Sequence, residues 1–93
     1  MSIIDKLLKA INEYSGLTFD EITSRSKKEK CVYARRIIVH HMSESGFIDG
    51  VIANVIRRDR TTVLGIKKKH SDELQYNPEY KEMFDAIINL LNN

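Results

Sequence analysis

The stretch Arg57–Lys69, RRDRTTVLGIKKK, places six Arg or Lys residues among thirteen positions, with Asp59, Thr61 and Thr62 between them. These side chains suit the recognition of anions and base edges. Arg60 carries a planar fork of donors that matches the acceptors of guanine, and Thr61 and Thr62 offer hydroxyls to bases or phosphates and methyls to thymine. Asp59 is a favourable helix N-cap whose carboxylate can accept from the amide of Thr61 or Thr62, so a helix starts here and its exposed amides attract a phosphate. Alternatively, Asp59 can accept from a cytosine amino group. Lys67, Lys68 and Lys69 continue the basic surface without carrying sequence information.

A second basic stretch lies upstream. Residues 25 to 42 contain Arg25, Lys27, Lys28, Lys30, Arg35 and Arg36 against a single acid, Glu29. The chain's net charge is only +2, yet the two stretches together carry +10 and the remainder −8. This distribution implies a basic face and an acidic remainder, a field that draws polyanions to one side. Solvated surface is the plainer explanation of either run taken singly.

Other chemistry is poorly provided for. His40, His41, His70 and Cys31 lack any zinc-ligand spacing, and adjacent histidines on a helix diverge by about 100°. No GxSxG nucleophile elbow occurs, and 93 residues leave little room for a substrate cleft. The expectation is a protein without catalysis, metal, cofactor or small-molecule substrate. A lone cysteine favours a reducing compartment. The charged start MSIIDKLLKAINEY is unlike a signal peptide, and no apolar run approaches the about 20 residues that span a bilayer, so a cytoplasmic protein with no membrane partner is expected.

At 42% hydrophobic and 30% charged residues, the composition is that of a globular chain limited by its length to one domain, residues 1–93. Helical spacing of apolar residues dominates, and six helices are predicted. Ser2 opens the first, with the stripe Ile4, Leu7, Leu8, Ile11 and a stop at Gly16. Thr18 and Glu21 have capping-box spacing and launch a short second helix through Ile22, followed by the basic loop SRSKKEK. The third runs from about Glu29 to Met42 with Cys31, Ala34, Ile38 and Met42 on one stripe, flanked by Ile37 and His41; Arg35 and Arg36 are then expected to point partly away from the core.

A fourth helix, Phe47 to Ile56, offers Ile48, Val51, Ile52, Val55 and Ile56 as a buried face. The fifth follows Asp59 and puts Val63, Ile66, His70 and Leu74 on one side, leaving Arg60, Thr61, Leu64, Gly65 and Lys68 on the other. Asn77 caps the sixth, with Pro78 at its first position, where the missing N–H does no harm, and Tyr80, Met83, Phe84, Ile87, Ile88 and Leu91 as its core stripe. Residues 47–70 are thus two helices joined by Arg57, Arg58 and Asp59, the arrangement of a helix-turn-helix whose second helix enters a major groove while the first crosses the phosphates.

RRDRTTVLGIKKK resembles the signature of the C-terminal DNA-binding domain of the bacterial replication initiator DnaA, RDHTTVLHA followed by a basic helical stretch. EYSGLTFDEITSRSKKEKCVYARRIIVHHM is similar to that domain's opening helices, basic loop and long helix, and YKEMFDAIINLL to its closing helix. The resemblance covers roughly residues 10–93, with RDxTTVL as its specific motif. It implies a compact all-α domain in which Arg58, Asp59, Thr61, Thr62 and Val63 occupy the signature positions.

By the same resemblance, Asp59, Arg60 and Thr61 approach bases, Arg36 matches the long-helix Arg, and Lys27, Lys28 or Lys30 serves a minor-groove arm. Arg60 stands where the family has His, and Gly65 where it has a second His, so the family's preferred site does not transfer. No GxxxxGK[ST] phosphate loop is present, which implies the binding domain without the initiator's ATPase.

The combined expectation is an all-α, six-helix, monomeric double-stranded DNA-binding domain. Asp59, Arg60 and Thr61 meet base edges, and Arg58, Thr62, Arg36, Arg35, Arg57, Lys27, Lys28, Lys30 and Lys68 hold phosphates or line a groove. The rival is a protein-interaction module of initiator-like fold that regulates replication or transcription through a partner.

Overall fold

Local capping determines most of the helix starts. In the computed structural model, which describes residues 2–93, the Ser2 hydroxyl accepts from the Asp5 amide at 3.1 Å to open α1 (Ile3–Ser15). Gly16, at φ 76°, closes it by donating to the Asn12 carbonyl at 2.8 Å. A capping box formed by Thr18 and Glu21 opens α2 (Phe19–Thr23). After the basic loop come α3 (Glu29–Glu44), α4 (Asp49–Ile56), α5 (Arg60–Tyr76) and α6 (Pro78–Leu91). Asn77 ends α5 and also caps α6, accepting from the Tyr80 amide at 3.1 Å with Pro78 in the first turn. The architecture is all-α with six helices, as the periodicity predicts, and no strand occurs among the described residues.

The third helix is the axle. The other five helices all pack on it, while α1 lies along α6, and α5 rests on α4 and α6. Seven consecutive residues, Tyr33 to Val39, are buried, so α3 has no solvent face in its middle. A helix surrounded on all sides buries whatever it carries there. This overturns the expectation that Arg35 and Arg36 point partly away from the core: each is only 7% exposed.

The fourth helix also departs from expectation. It begins at Asp49 instead of Phe47, and only Ile52, Ala53 and Ile56 form its buried stripe. Ile48 stands outside the helix as its N-cap residue, 71% exposed, and Val51 is exposed as well. Eight residues make about two turns, enough for one narrow stripe. The molecule has a radius of gyration of 12.0 Å, and no helix among its described residues is long and apolar enough to cross a membrane.

Candidate nucleic-acid interface

The connection between α4 and α5 is three residues long, and its geometry follows from how each helix ends. Ile56 is followed by Arg57 in the left-handed region, φ 57° and ψ 48°. With Arg57 so placed, the Arg58 amide donates to the Ala53 carbonyl at 3.0 Å, the bond that closes a Schellman-type helix end. Asp59 is extended, and its Oδ1 accepts from the Thr62 amide at 2.7 Å. That bond chiefly, with the Thr62 hydroxyl and Thr61 amide also favouring the charged form, holds the Asp59 carboxyl below the usual carboxylate range despite an opposing desolvation. Asp59 therefore has the capping role its position implies.

The first turn of α5 is open. Arg60, Thr61 and Thr62 are exposed, as are Leu64, Gly65 and Lys68 along the same side, whereas Val63 and His70 are buried beneath them. A β-carbon added at Gly65 would meet nothing within 4 Å. Here the structure agrees with the sequence periodicity on which side of α5 faces solvent. Lys67 is less free: its Nζ lies 2.7 Å from Asp49 Oδ1 and ties the middle of α5 to the start of α4.

Two arginines bring the basic loop to this place. Helix α2 has five residues, and its last carbonyls lack intrahelical partners. Arg35 fills two of these vacancies, donating from Nε to the Ile22 carbonyl at 2.7 Å and from Nη2 to the Ser24 carbonyl at 2.8 Å. Arg58 reaches across from the α4–α5 connection and donates from Nη1 to the Thr23 carbonyl at 3.2 Å and from Nη2 to Ser24 at 2.5 Å. Cations are favoured at a helix C-terminus, where these carbonyls carry partial negative charge. Burial, with the Arg58 charge beside it, lowers the Arg35 pKa from its usual value.

Ser24, where the loop begins, is thus fastened to the residue preceding Asp59. The exposed Arg25, Lys27, Lys28 and Lys30 follow directly in the chain. The loop that carries the upstream basic residues thus leaves from a point held against the α4–α5 connection.

These bonds correct three of the residues assigned to phosphate contact. Arg35 and Arg58 direct their donors at backbone carbonyls within the fold. Arg36 lies inside, its guanidinium carbon 4.9 Å from the Tyr80 ring centroid and 5.9 Å from that of Tyr33, with Glu73 at 3.7 Å. Arg57, Arg60, Lys27, Lys28, Lys30, Lys68 and Thr62 remain exposed.

Sequence reading also missed what anchors α5 from behind. The His70 and His40 rings stack 3.6 Å apart, Phe84 meets both edge-on, and His70 Nδ1 lies 2.8 Å from the Tyr80 hydroxyl. Burial chiefly, then the proximity of His40 and Arg36, pushes the His70 pKa down to about 4, partly opposed by Glu44. Burial also raises the Tyr80 hydroxyl well above its ordinary value. The only forewarning in the sequence was the place of His70 on the apolar stripe of α5.

Compared with protein-family models, with curated proteins and with solved structures, the chain matches none.

Proposed function

We propose that this chain is a sequence-specific double-stranded DNA-binding protein that works as a helix-turn-helix, with α4 crossing the phosphates and α5 entering the major groove. The observation that carries this reading is the side of α5 bearing Arg60, Thr61, Leu64, Gly65 and Lys68: it is open from its first turn and adjoins a basic loop tethered at Ser24. Arg60 and Thr61, with Asp59 where its cap geometry permits, read base edges. Thr62, Arg57, Lys68 and the Lys27, Lys28 and Lys30 loop hold phosphates or a neighbouring groove. The resemblance of RDxTTVL to the DnaA binding domain supports the same arrangement, with Arg60 in the place of His changing the preferred site.

The test is binding to a random duplex pool over a salt series, followed by selection of bound fragments. A protein that neutralises several phosphates weakens steeply as salt rises, and the logarithmic slope counts them at about 0.9 per phosphate. Arg60→Ala is expected to blur sequence preference at about 1–3 kcal/mol, while Lys68→Ala weakens all sites alike. A flat salt response sinks the reading.

A second reading rests on one observation. Ile48, Val51 and Leu64 are exposed, and Ile48 and Val51 line an open groove of about 600 Å³ that reaches Arg58 and Arg60. Exposed apolar residues of this kind suit a protein partner, and binding that is indifferent to salt and to DNA favours it.

A further inference from the structure

Three helices of this chain end with a residue of positive φ or pass through one directly afterwards, and the residues differ. Gly16 follows α1 at φ 76° and Gly46 follows α3 at φ 94°, whereas Arg57 follows α4 at φ 57°. Arg57 is the only residue other than glycine with positive φ among those described. A β-carbon crowds the backbone in this region, and glycine occupies it without that penalty. No ion pair among the described residues accounts for a long side chain at this position, and Arg57 is exposed.

A second oddity explains the first. Phe19, the opening residue of α2, leaves a large ring 37% exposed, and the Arg57 guanidinium carbon lies 5.5 Å from its centroid. The ring face attracts the cation and restricts its rotamers, while the residue as a whole stays exposed. The helix that carries Phe19 is itself held at its far end, where Arg58 binds the Thr23 and Ser24 carbonyls. The pair therefore sits beside the basic loop, two residues before Asp59.

We propose that Arg57, held on the Phe19 ring, is a preorganised clamp for a backbone phosphodiester at the edge of the site that α5 enters. It rests on the DNA-binding reading above. A strained backbone retained for a solvent-facing charge is the pattern of a residue kept for contact and not for stability.

The experiment compares the wild-type chain with Arg57→Gly, Phe19→Leu and the double variant, by thermal melting and by anisotropy with a random-sequence duplex over a salt series. Arg57→Gly relieves the strain, so its Tm is expected to hold or to rise by up to about 4 °C. Its affinity is expected to fall about tenfold, with the salt slope smaller by about one.

Phe19→Leu keeps the apolar bulk and removes the aromatic face; it is expected to weaken binding about threefold in the presence of Arg57 and not at all in Arg57→Gly. An Arg57→Gly protein that binds as tightly and with the same slope as wild type, or one that melts at a lower temperature, overturns the clamp. Equal losses from Phe19→Leu in both backgrounds overturn the platform. Failure of the wild-type chain to bind duplex overturns the function along with the clamp, whereas normal wild-type binding with an unaffected Arg57→Gly overturns the clamp alone.

Discussion

The dipeptide Arg-Arg occurs twice, at 35–36 within α3 and at 57–58 after α4, and the two copies have opposite surroundings. In α3 both side chains are buried: Arg35 closes the end of α2, and Arg36 lies between Tyr80, Tyr33 and Glu73. After α4 the pair divides. Arg58 turns to the same end of α2, sharing the Ser24 carbonyl with Arg35, while Arg57 stays exposed over Phe19. A guanidinium can serve as a structural donor or as a binding group, and unpaired carbonyls within reach draw it into the first role.

The largest effect in this comparison belongs to Arg35. Arg35→Met retains much of the apolar stem but strands the Ile22 carbonyl and leaves the Ser24 carbonyl with Arg58 alone. It is expected to cost about 3 kcal/mol in urea unfolding, with loss of the tether that holds the basic loop. If Arg35→Met unfolds at the wild-type urea concentration, the contrast between internal and external arginines fails.

Protonation of the interior behind α5 comes next. The folded His70 pKa of about 4 lies below its ordinary 6.5, so between these values the unfolded chain binds a proton that the folded chain refuses. Stability is therefore intact above about pH 6.5 and declines as pH falls towards 4, by about 2–3 kcal/mol. His40 and His41, both lowered chiefly by burial, add to the same slope. Urea midpoints at pH 7 and pH 4.5 measure this, and His70→Gln is expected to remove most of the difference whatever its effect at neutral pH. Because α5 is the helix anchored here, DNA affinity is expected to follow the same pH course.

The smallest effect belongs to the cap. Asp59→Ala removes the acceptor of the Thr62 amide and is expected to lower Tm by about 4 °C, whereas Asp59→Asn keeps an acceptor and recovers most of it. A binding profile for Asp59→Asn that matches wild type restricts the residue to capping. A changed base preference at unchanged Tm gives it a direct role.

Much of the fold was legible because its punctuation is local. Ser2, the Thr18–Glu21 pair, Asp59 and the Asn77-Pro78 start each act through bonds that span about three residues, and all four helices begin where these signals put them. The solvent side of α5 was legible too, since Val63 and His70 fix its inner side. Ile48 and Val51 were misjudged because apolar type alone does not say which residues of a two-turn helix meet a neighbour. Arg35, Arg36 and Arg58 were misjudged because partners that draw them inward, carbonyls at the end of α2 and rings on α3 and α6, lie mostly far away in the chain.

By itself, then, the amino-acid order determined where four of the six helices start, that two stretches are rich in positive charge, and which residues flank the entry to α5. Only tertiary packing decided that three of the arginines turn inward and that Ser24 is fastened beside the α4–α5 connection. The physical reason is range: a cap draws on atoms a turn away, while Arg35, and Arg58 beyond its local bonds to Ile56 and Arg57, reach carbonyls eleven to thirty-five residues distant, vacancies that exist only once α2 has ended against α3 and α4.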